Sequence, residues 1–150
     1  MGMCEIDIKY LDEKCKLVKG SKGAMAFDFR AHIKEPVTIK CGEMAVIPLG
    51  FCVDTKEESV GVMLFVRSGM ARKHGLTMMG AVGIIDSDYR GELHAMIHNT
   101  GVTGKDYVLE PYERCGQLMF MRCEQVVLNE VSKLNETERA NGGFGSTGVN

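Results

Sequence analysis

"GIIDSDYRGELHAMIHN" occupies residues 83–99. It opens on three apolar-leaning residues, passes through an acidic turn from Asp86 to Tyr89, and leaves through "RGEL" into a segment in which apolar and polar residues alternate. Period-two alternation sends successive side chains to opposite faces of a strand. Aspartate accepts hydrogen bonds from the backbone that follows it, which makes "DSD" a turn former. The stretch therefore reads as a β-hairpin whose mouth presents two carboxylates and a phenol.

The same signature recurs on both sides of it. "EIDIKYL", "VTIK", "MAVIPLGFCV", "VGVMLFV", "DYVLE" and "QLMFMRCEQVVL" are short, apolar or alternating, and bounded by Gly, Pro, Asp or Asn. The turn signals "KCGE", "NTGVTGKD" and "EPYE" connect antiparallel neighbours and feed no long crossover helix. An all-β sandwich or barrel follows, with no parallel βαβ unit. One segment departs from the pattern. "RSGMARKHGL" (67–76) predicts a short helix with Ser68 as N-cap and Gly75 as its stop. Its start is either a small anion site beside Arg67 or a plainly capped surface helix. After about residue 128 the strand signal fades into a polar and then glycine-rich stretch, so the chain divides into a β domain over 1–128 and a flexible C-terminal arm over 129–150.

Composition narrows the function. The 150 residues and 45% apolar content suit one domain with one core. A formal net charge of −2 and a pI near 6.1 provide no basic footprint for polymeric nucleic acid or an anionic membrane. No apolar run approaches the roughly 18 residues of a membrane span, and the start, "MGMCEIDIKY", has no signal-peptide character. A soluble cytoplasmic location is expected, with the nucleus open for a eukaryotic source. Ile6 stands where a myristoylation motif on Gly2 requires Ser or Thr. The six cysteines form no CxxC and read as reduced, mostly buried thiols.

The residues with chemistry in them are few. Asp86 is a turn former or, at a pocket edge, a general base toward water. Tyr89 beside it has the shape to pack flat against a sugar ring. Arg67, Arg90, Arg114 and Arg139 are either phosphate ligands or solvated charges. The tail "GGFGSTG" allows backbone N–H groups to approach an anion, and it carries Phe144 with no apolar neighbour in sequence. No Walker loop is present. His94 and His98 lie about 13 Å apart along a predicted strand, too far for a shared metal, and His32 and His74 stand alone. No nucleophile–base–orienter set assembles, which disfavours covalent catalysis.

Five stretches, in order, resemble the five motifs of the trimeric deoxyuridine triphosphate nucleotidohydrolases, or dUTPases. They are "MAFDFRA" (25–31), "VRSGMARKHGL" (66–76), "GIIDSDYRGEL" (83–93), "YERCGQL" (112–118) and "RANGGFGSTG" (139–148). The resemblance implies a distorted jelly-roll-like β-barrel and a homotrimer with shared active sites. It also implies Mg²⁺-assisted hydrolysis of dUTP to dUMP and pyrophosphate, which would limit uracil incorporation into DNA and supply dUMP for thymidylate synthesis. Carried over by position, Asp86 is the base that activates water, Tyr89 stacks under the deoxyribose, and Asp28 reaches Mg²⁺ through water. Arg67, Ser68, Gly69 and Gln117 hold phosphates, while backbone near Gly80, Ile84, Ile85 and His94 reads the uracil edge. Arg139 meets the γ-phosphate, Phe144 covers the uracil, and Gly145, Ser146 and Thr147 wrap the terminal phosphates. Departures from the usual motifs fall at Ala26, Gly80, Tyr112, Cys115, Gly116 and Ala140. A dCTP deaminase of the same fold, which generally lacks the Asp-x-Asp-Tyr turn and the GGFGSTG tail, and a nucleotide-binding regulatory protein are the alternatives.

Overall fold

The computed structural model describes residues 4–142. In chain order the strands are β1 Asp7–Tyr10, β2 Val18–Lys19, β3 Phe27–Arg30, β4 Val37–Ile39, β5 Met44–Pro48, β6 Phe51–Asp54, β7 Val60–Phe65, β8 Leu76–Met78, β9 Gly83–Ile85, β10 His94–Asn99, β11 Tyr107–Leu109 and β12 Arg114–Arg122. A single α-helix among the described residues, α1 Ser68–His74, lies between β7 and β8, and a 3-10 turn spans Glu13–Cys15. Every strand pairing is antiparallel. The strands form a five-stranded sheet β2-β3-β12-β7-β9, a three-stranded sheet β5-β10-β8, and the pairs β1-β6 and β11-β4. This is the expected jelly-roll-like all-β architecture with one short helix.

Alternation drives the packing. Along β10, Ala95, Ile97 and Asn99 are buried while His94 and Met96 face outward, and β7 buries Val60, Val62 and Leu64. Of these, Val62, Leu64, Ala95 and Ile97 meet Phe29, Ile39, Ile47, Leu49, Phe51, Leu76, Leu93, Leu109 and Leu118 in one core. Removing each such side chain from water contributes about 1.5–3 kcal/mol. Asn99, the one fully enclosed amide of the described core, donates to Ile39 O at 3.1 Å and Lys105 O at 2.9 Å and accepts from Gly101 N–H at 3.1 Å. Its burial is thus matched by hydrogen bonds.

Four expectations need correction. The 83–99 stretch is not a hairpin. Gly83–Ile85 pairs with β7, and His94–Asn99 pairs with β5 and β8, so its two arms enter different sheets. "MAVIPLGFCV" is two strands: Gly50, at φ 76, breaks the run, and β5 and β6 part to different partners. "QLMFMRCEQVVL" stops being a strand at Arg122, and residues 121–141 are exposed in the single chain. The thiols are not mostly buried: Cys15 and Cys115 are, Cys52 is half-buried, and Cys4, Cys41 and Cys123 are exposed, all six free. Burial pushes the thiol of Cys15 up to about 11 and that of Cys115 up to about 12, which keeps both as inert thiols. No helix of the described residues is long and apolar enough to cross a membrane.

Candidate active site

Sheet register assembles the first half of the site. On the adjacent strands β3, β12 and β7, Asp28 lies opposite Gln117, and Gln117 lies opposite Phe65. The chain leaves β7 through Val66 and reaches Arg67 two residues later, at the start of α1. Residues far apart in sequence thus come together across the three inner strands of one sheet. There Asp28, Arg67, Ser68, Gly69, Arg114 and Gln117 line a cleft of about 790 Å³. The Asp28 side chain is 14% exposed and lies between two guanidinium groups: Arg67 Nε is 3.3 Å from Oδ1 and Arg114 Nη1 is 3.3 Å from Oδ2.

The helix adds to the positive character of this cleft. Arg67 is its N-cap, with no side-chain capping bond, and Ser68 is the first helical residue, which corrects the expected Ser68 cap. The internal bonds begin with the N–H groups of Met70 and Ala71 donating to Arg67 O, so those of Ser68 and Gly69 lie ahead of the helical ladder. No acidic residue sits in the first turn, while Arg72, Lys73 and His74 occupy the last. Gly75 ends the helix as expected, in the left-handed region at φ 66. At the far side of the cleft the Tyr107 hydroxyl donates to Glu113, and burial first, then that bond, holds the phenol protonated well above its usual range.

The second half sits on the connection between β9 and β10. Ile84, Ile85 and Asp86 line a separate cleft of about 560 Å³ together with Ser87, Asp88 and residues of β7. The Asp86 carbonyl accepts from Tyr89 N–H at 3.2 Å, closing the acidic turn, and its carboxylate is exposed. The Tyr89 hydroxyl donates to Glu92 O at 3.1 Å, and its ring lies so near Gly91 that a Cβ there would come within 2.7 Å of Tyr89 Cζ. Arg90, read from the sequence as either a phosphate ligand or a solvated charge, staples this loop. It donates to Ser87 O at 2.7 Å and to Asp54 Oδ1 at 2.8 Å.

The remaining expected residues are placed as follows. Gly80 is exposed at φ 79, one residue beyond Met79, whose N–H donates to Met96 O, so it runs beside the strand that carries His94. His94 Nδ1 lies 2.9 Å from Glu92 O. Arg139 is exposed, donates to Gly142 O at 3.0 Å within its own turn, and lines neither cleft. Phe144, Gly145, Ser146 and Thr147 lie outside the described residues. Tyr112, which stands where the resembling family usually has Gly, takes the conformation that a Gly would serve, with φ 59. The contacts that compensate it are an Asp12 carboxylate accepting from its hydroxyl at 2.9 Å, Arg30 donating to its carbonyl at 2.9 Å, and the Lys14 ammonium 4.8 Å from its ring centre. His32 does not stand alone: its Nδ1 is 2.9 Å from Glu92 Oε1 and its Nε2 is 3.8 Å from Asp12. Neither Glu92 nor His32 carries a sequence signal for this pairing, because they are 60 residues apart.

A metal held by protein ligands alone does not fit, since the described residues contain no group of three or more His, Cys, Asp or Glu able to hold one. One carboxylate, Asp28, beside a cationic cleft does fit Mg²⁺, which keeps several waters and takes phosphate oxygens as ligands.

Comparisons with known proteins agree with this fold. The dUTPase family model matches residues 13–148. A deoxyuridine 5'-triphosphate nucleotidohydrolase of Burkholderia thailandensis is 37% identical over 147 residues, covering 96% of this chain and 98% of its own. That of Herminiimonas arsenicoxydans is 39% identical over 149 residues, covering 97% and 99%. Among solved structures, the dUTPase of Staphylococcus bacteriophage 80alpha with dUPNHPP superposes with a TM-score of 0.85 at 24% identity, covering 98% of this chain and all of that one. A mutant dUTPase of S. aureus phage phi11, described for its coordination of a structural Mg(II) ion, gives a TM-score of 0.75 at 20% identity, covering 88% and 99%. Fold and family together define a jelly-roll-like nucleotide hydrolase. The chain belongs to the dUTPase family, whose model covers both clefts.

Proposed function

We propose that this chain hydrolyses dUTP to dUMP and pyrophosphate in a homotrimer whose sites are each shared between copies. One observation carries the reading: within a single chain the anion-binding set and Asp86 line two different clefts with no residue in common. Each copy then contributes its phosphate half to one site and its acidic half to another. The apolar residues Val126, Val127, Leu128, Val131 and Leu134, 58–89% exposed after the last strand, support assembly with further copies.

In the assembled site Arg67, the N–H groups of Ser68 and Gly69, and the Gln117 amide bind the triphosphate. The arriving phosphate replaces Asp28 as the partner of Arg67. The Asp86 carboxylate takes a proton from a water positioned for in-line attack on the α-phosphorus, and Arg67 offsets the charge that develops on the departing pyrophosphate. Tyr89 lies under the deoxyribose and excludes a 2′-hydroxyl. Backbone around Gly80, Ile84, Ile85 and His94 reads the uracil edge and leaves no space for a 5-methyl group. Mg²⁺, when bound, would be held by Asp28 through a coordinated water and would draw charge from the phosphates. The arm over 129–150 brings Arg139 to the γ-phosphate, Phe144 over the uracil, and Gly145, Ser146 and Thr147 around the terminal phosphates. The reaction limits uracil incorporation into DNA and supplies dUMP for thymidylate synthesis in the cytoplasm.

A nucleotide panel tests this reading directly. Incubation with dUTP, UTP, dTTP and dCTP, with and without Mg²⁺, should release pyrophosphate efficiently from dUTP with Mg²⁺ alone. Ammonia from dCTP without pyrophosphate from dUTP would overturn it. Light scattering at working concentration should return three times the 16.5 kDa chain mass.

A further inference from the structure

The loop that carries Asp86 and Tyr89 meets the rest of the molecule at Glu92. Both the Gly50 N–H, at 2.8 Å, and His32 Nδ1, at 2.9 Å, converge on a single oxygen of this side chain, Oε1. A carboxylate only accepts, so Nδ1 carries the proton of this hydrogen bond. The pedestal beneath is unyielding. Gly50 sits at φ 76, and a Cβ there would come within 2.7 Å of Cys15 Sγ and 3.0 Å of His32 Cγ. The Gly50 carbonyl is itself tied to Leu11 N–H at 2.8 Å. On the other side of the same residue, the Glu92 carbonyl takes the Tyr89 hydroxyl at 3.1 Å and faces His94 Nδ1 at 2.9 Å. Glu92 therefore joins the core to Tyr89 in the middle of the loop and to His94 just beyond it, through one side chain and one carbonyl.

We propose that Glu92 is the positioning residue of the 86–92 loop, with His32 and Gly50 N–H as its anchor, and that it sets the Tyr89 ring and the Asp86 carboxylate at the spacing the reaction needs. The proposal rests on the roles given above to Asp86 and Tyr89. Glu92 touches neither reacting atom nor substrate. Its effect passes through the peptide plane that the Tyr89 hydroxyl reads. Side chains on loops reach catalytic precision only when a second layer of contacts locks them, and here the Glu92 carboxylate with its two donors joins the Arg90 staple in that layer.

The test is a set of variants assayed with dUTP and UTP, with thermal melts followed by circular dichroism. Glu92→Ala should lower kcat for dUTP by about tenfold to a hundredfold, as for a displacement of about an ångström at the reacting groups, and should weaken the discrimination between dUTP and UTP, because the freed Tyr89 no longer sets the sugar floor. Glu92→Gln keeps an acceptor oxygen for both donors and should return to within about threefold of the unmodified enzyme in both measures. A folded Glu92→Ala with unchanged kcat and unchanged discrimination overturns the proposal. So does a Glu92→Ala that loses kcat with discrimination intact and without rescue by Glu92→Gln, since that is the behaviour of a contact serving stability alone. Should Glu92→Ala fail to fold, His32→Asn removes one donor and leaves the other. It should shift discrimination in the same direction, and unchanged discrimination there overturns the proposal equally. Asp86→Asn in the same series separates the two readings. If it keeps turnover, the site assignment fails and this proposal with it; if it is inactive while Glu92→Ala is normal, only the positioning role fails.

Discussion

The cleft at the start of α1 and the cleft beside the 86–92 loop are placed by different means. In the first, the strand register itself sets the spacing: Asp28, Gln117 and Phe65 lie in one row across three hydrogen-bonded strands, and Arg67 follows from the end of the third. Its charges are already matched, with the Asp28 carboxylate between Arg67 and Arg114. In the second, an exposed carboxylate rides on a connection that belongs to no ladder, and its place depends on anchors at Arg90 and Glu92. A sheet transmits position through many backbone bonds, whereas a loop depends on a few side chains. Loss of one contact should therefore be local in the first cleft and general in the second.

The largest effect should come from the loop cleft. Asp86→Asn removes the proposed base and should cut turnover by about a thousandfold while dUTP still binds. Near-normal pyrophosphate release from this variant would place the base elsewhere. Next comes Arg67→Ala in the sheet-built cleft, which should raise KM and lower kcat together for a combined loss of about a hundredfold, because the guanidinium contacts phosphate before and during the reaction. An unchanged KM would separate Arg67 from the phosphates.

Mixing these two inactive variants breaks or sharpens the comparison itself. If each site takes its phosphate half from one copy and its acidic half from another, co-refolding equal amounts should restore about a quarter of full turnover, the share of sites that draw both intact halves by chance. If both halves of a site lie on one chain, every site carries a lesion and mixing restores nothing.

The smallest effect belongs to the turn that opens β12. The Asp12 carboxyl is held below its usual range by Lys14 N–H and then by the Tyr112 hydroxyl, while Tyr112 is raised by that same bond to Asp12. A lowered acid stabilises the fold above its ordinary value and loses that contribution as pH falls through the lowered one. A raised phenol stabilises below its ordinary value and loses that contribution as pH rises through the raised one. Tyr112→Phe should therefore lower Tm by a small amount between about pH 4 and about pH 10, with the two melting curves converging in acid. A constant difference down to strongly acidic pH would show that the hydroxyl acts through packing and not through Asp12.

How much of this was legible in the residues differs from element to element. The outward and inward faces of β7 and β10, the stop of α1 at Gly75 and the turn at Asp86 follow from local rules, because alternation, a left-handed glycine and an aspartate turn need no distant partner. The strand β3 went unread because "FDFR" is only four residues long and no strong turn signal follows it. The split of 83–99 between two sheets was also hidden. An alternating strand shows which face it buries but not which strand it pairs with.

Composition, periodicity and the five ordered motifs determined the β architecture, the short helix and the family, because each of these is written in neighbouring residues. Only the tertiary structure decided that Asp28, Arg67 and Gln117 share a cleft that Asp86 does not enter, that Arg90 is a staple, and that His32 and Gly50 anchor Glu92. The physical reason is common to all three: each depends on strand register or on a contact across at least 36 residues of chain, and such pairings are selected by the whole core.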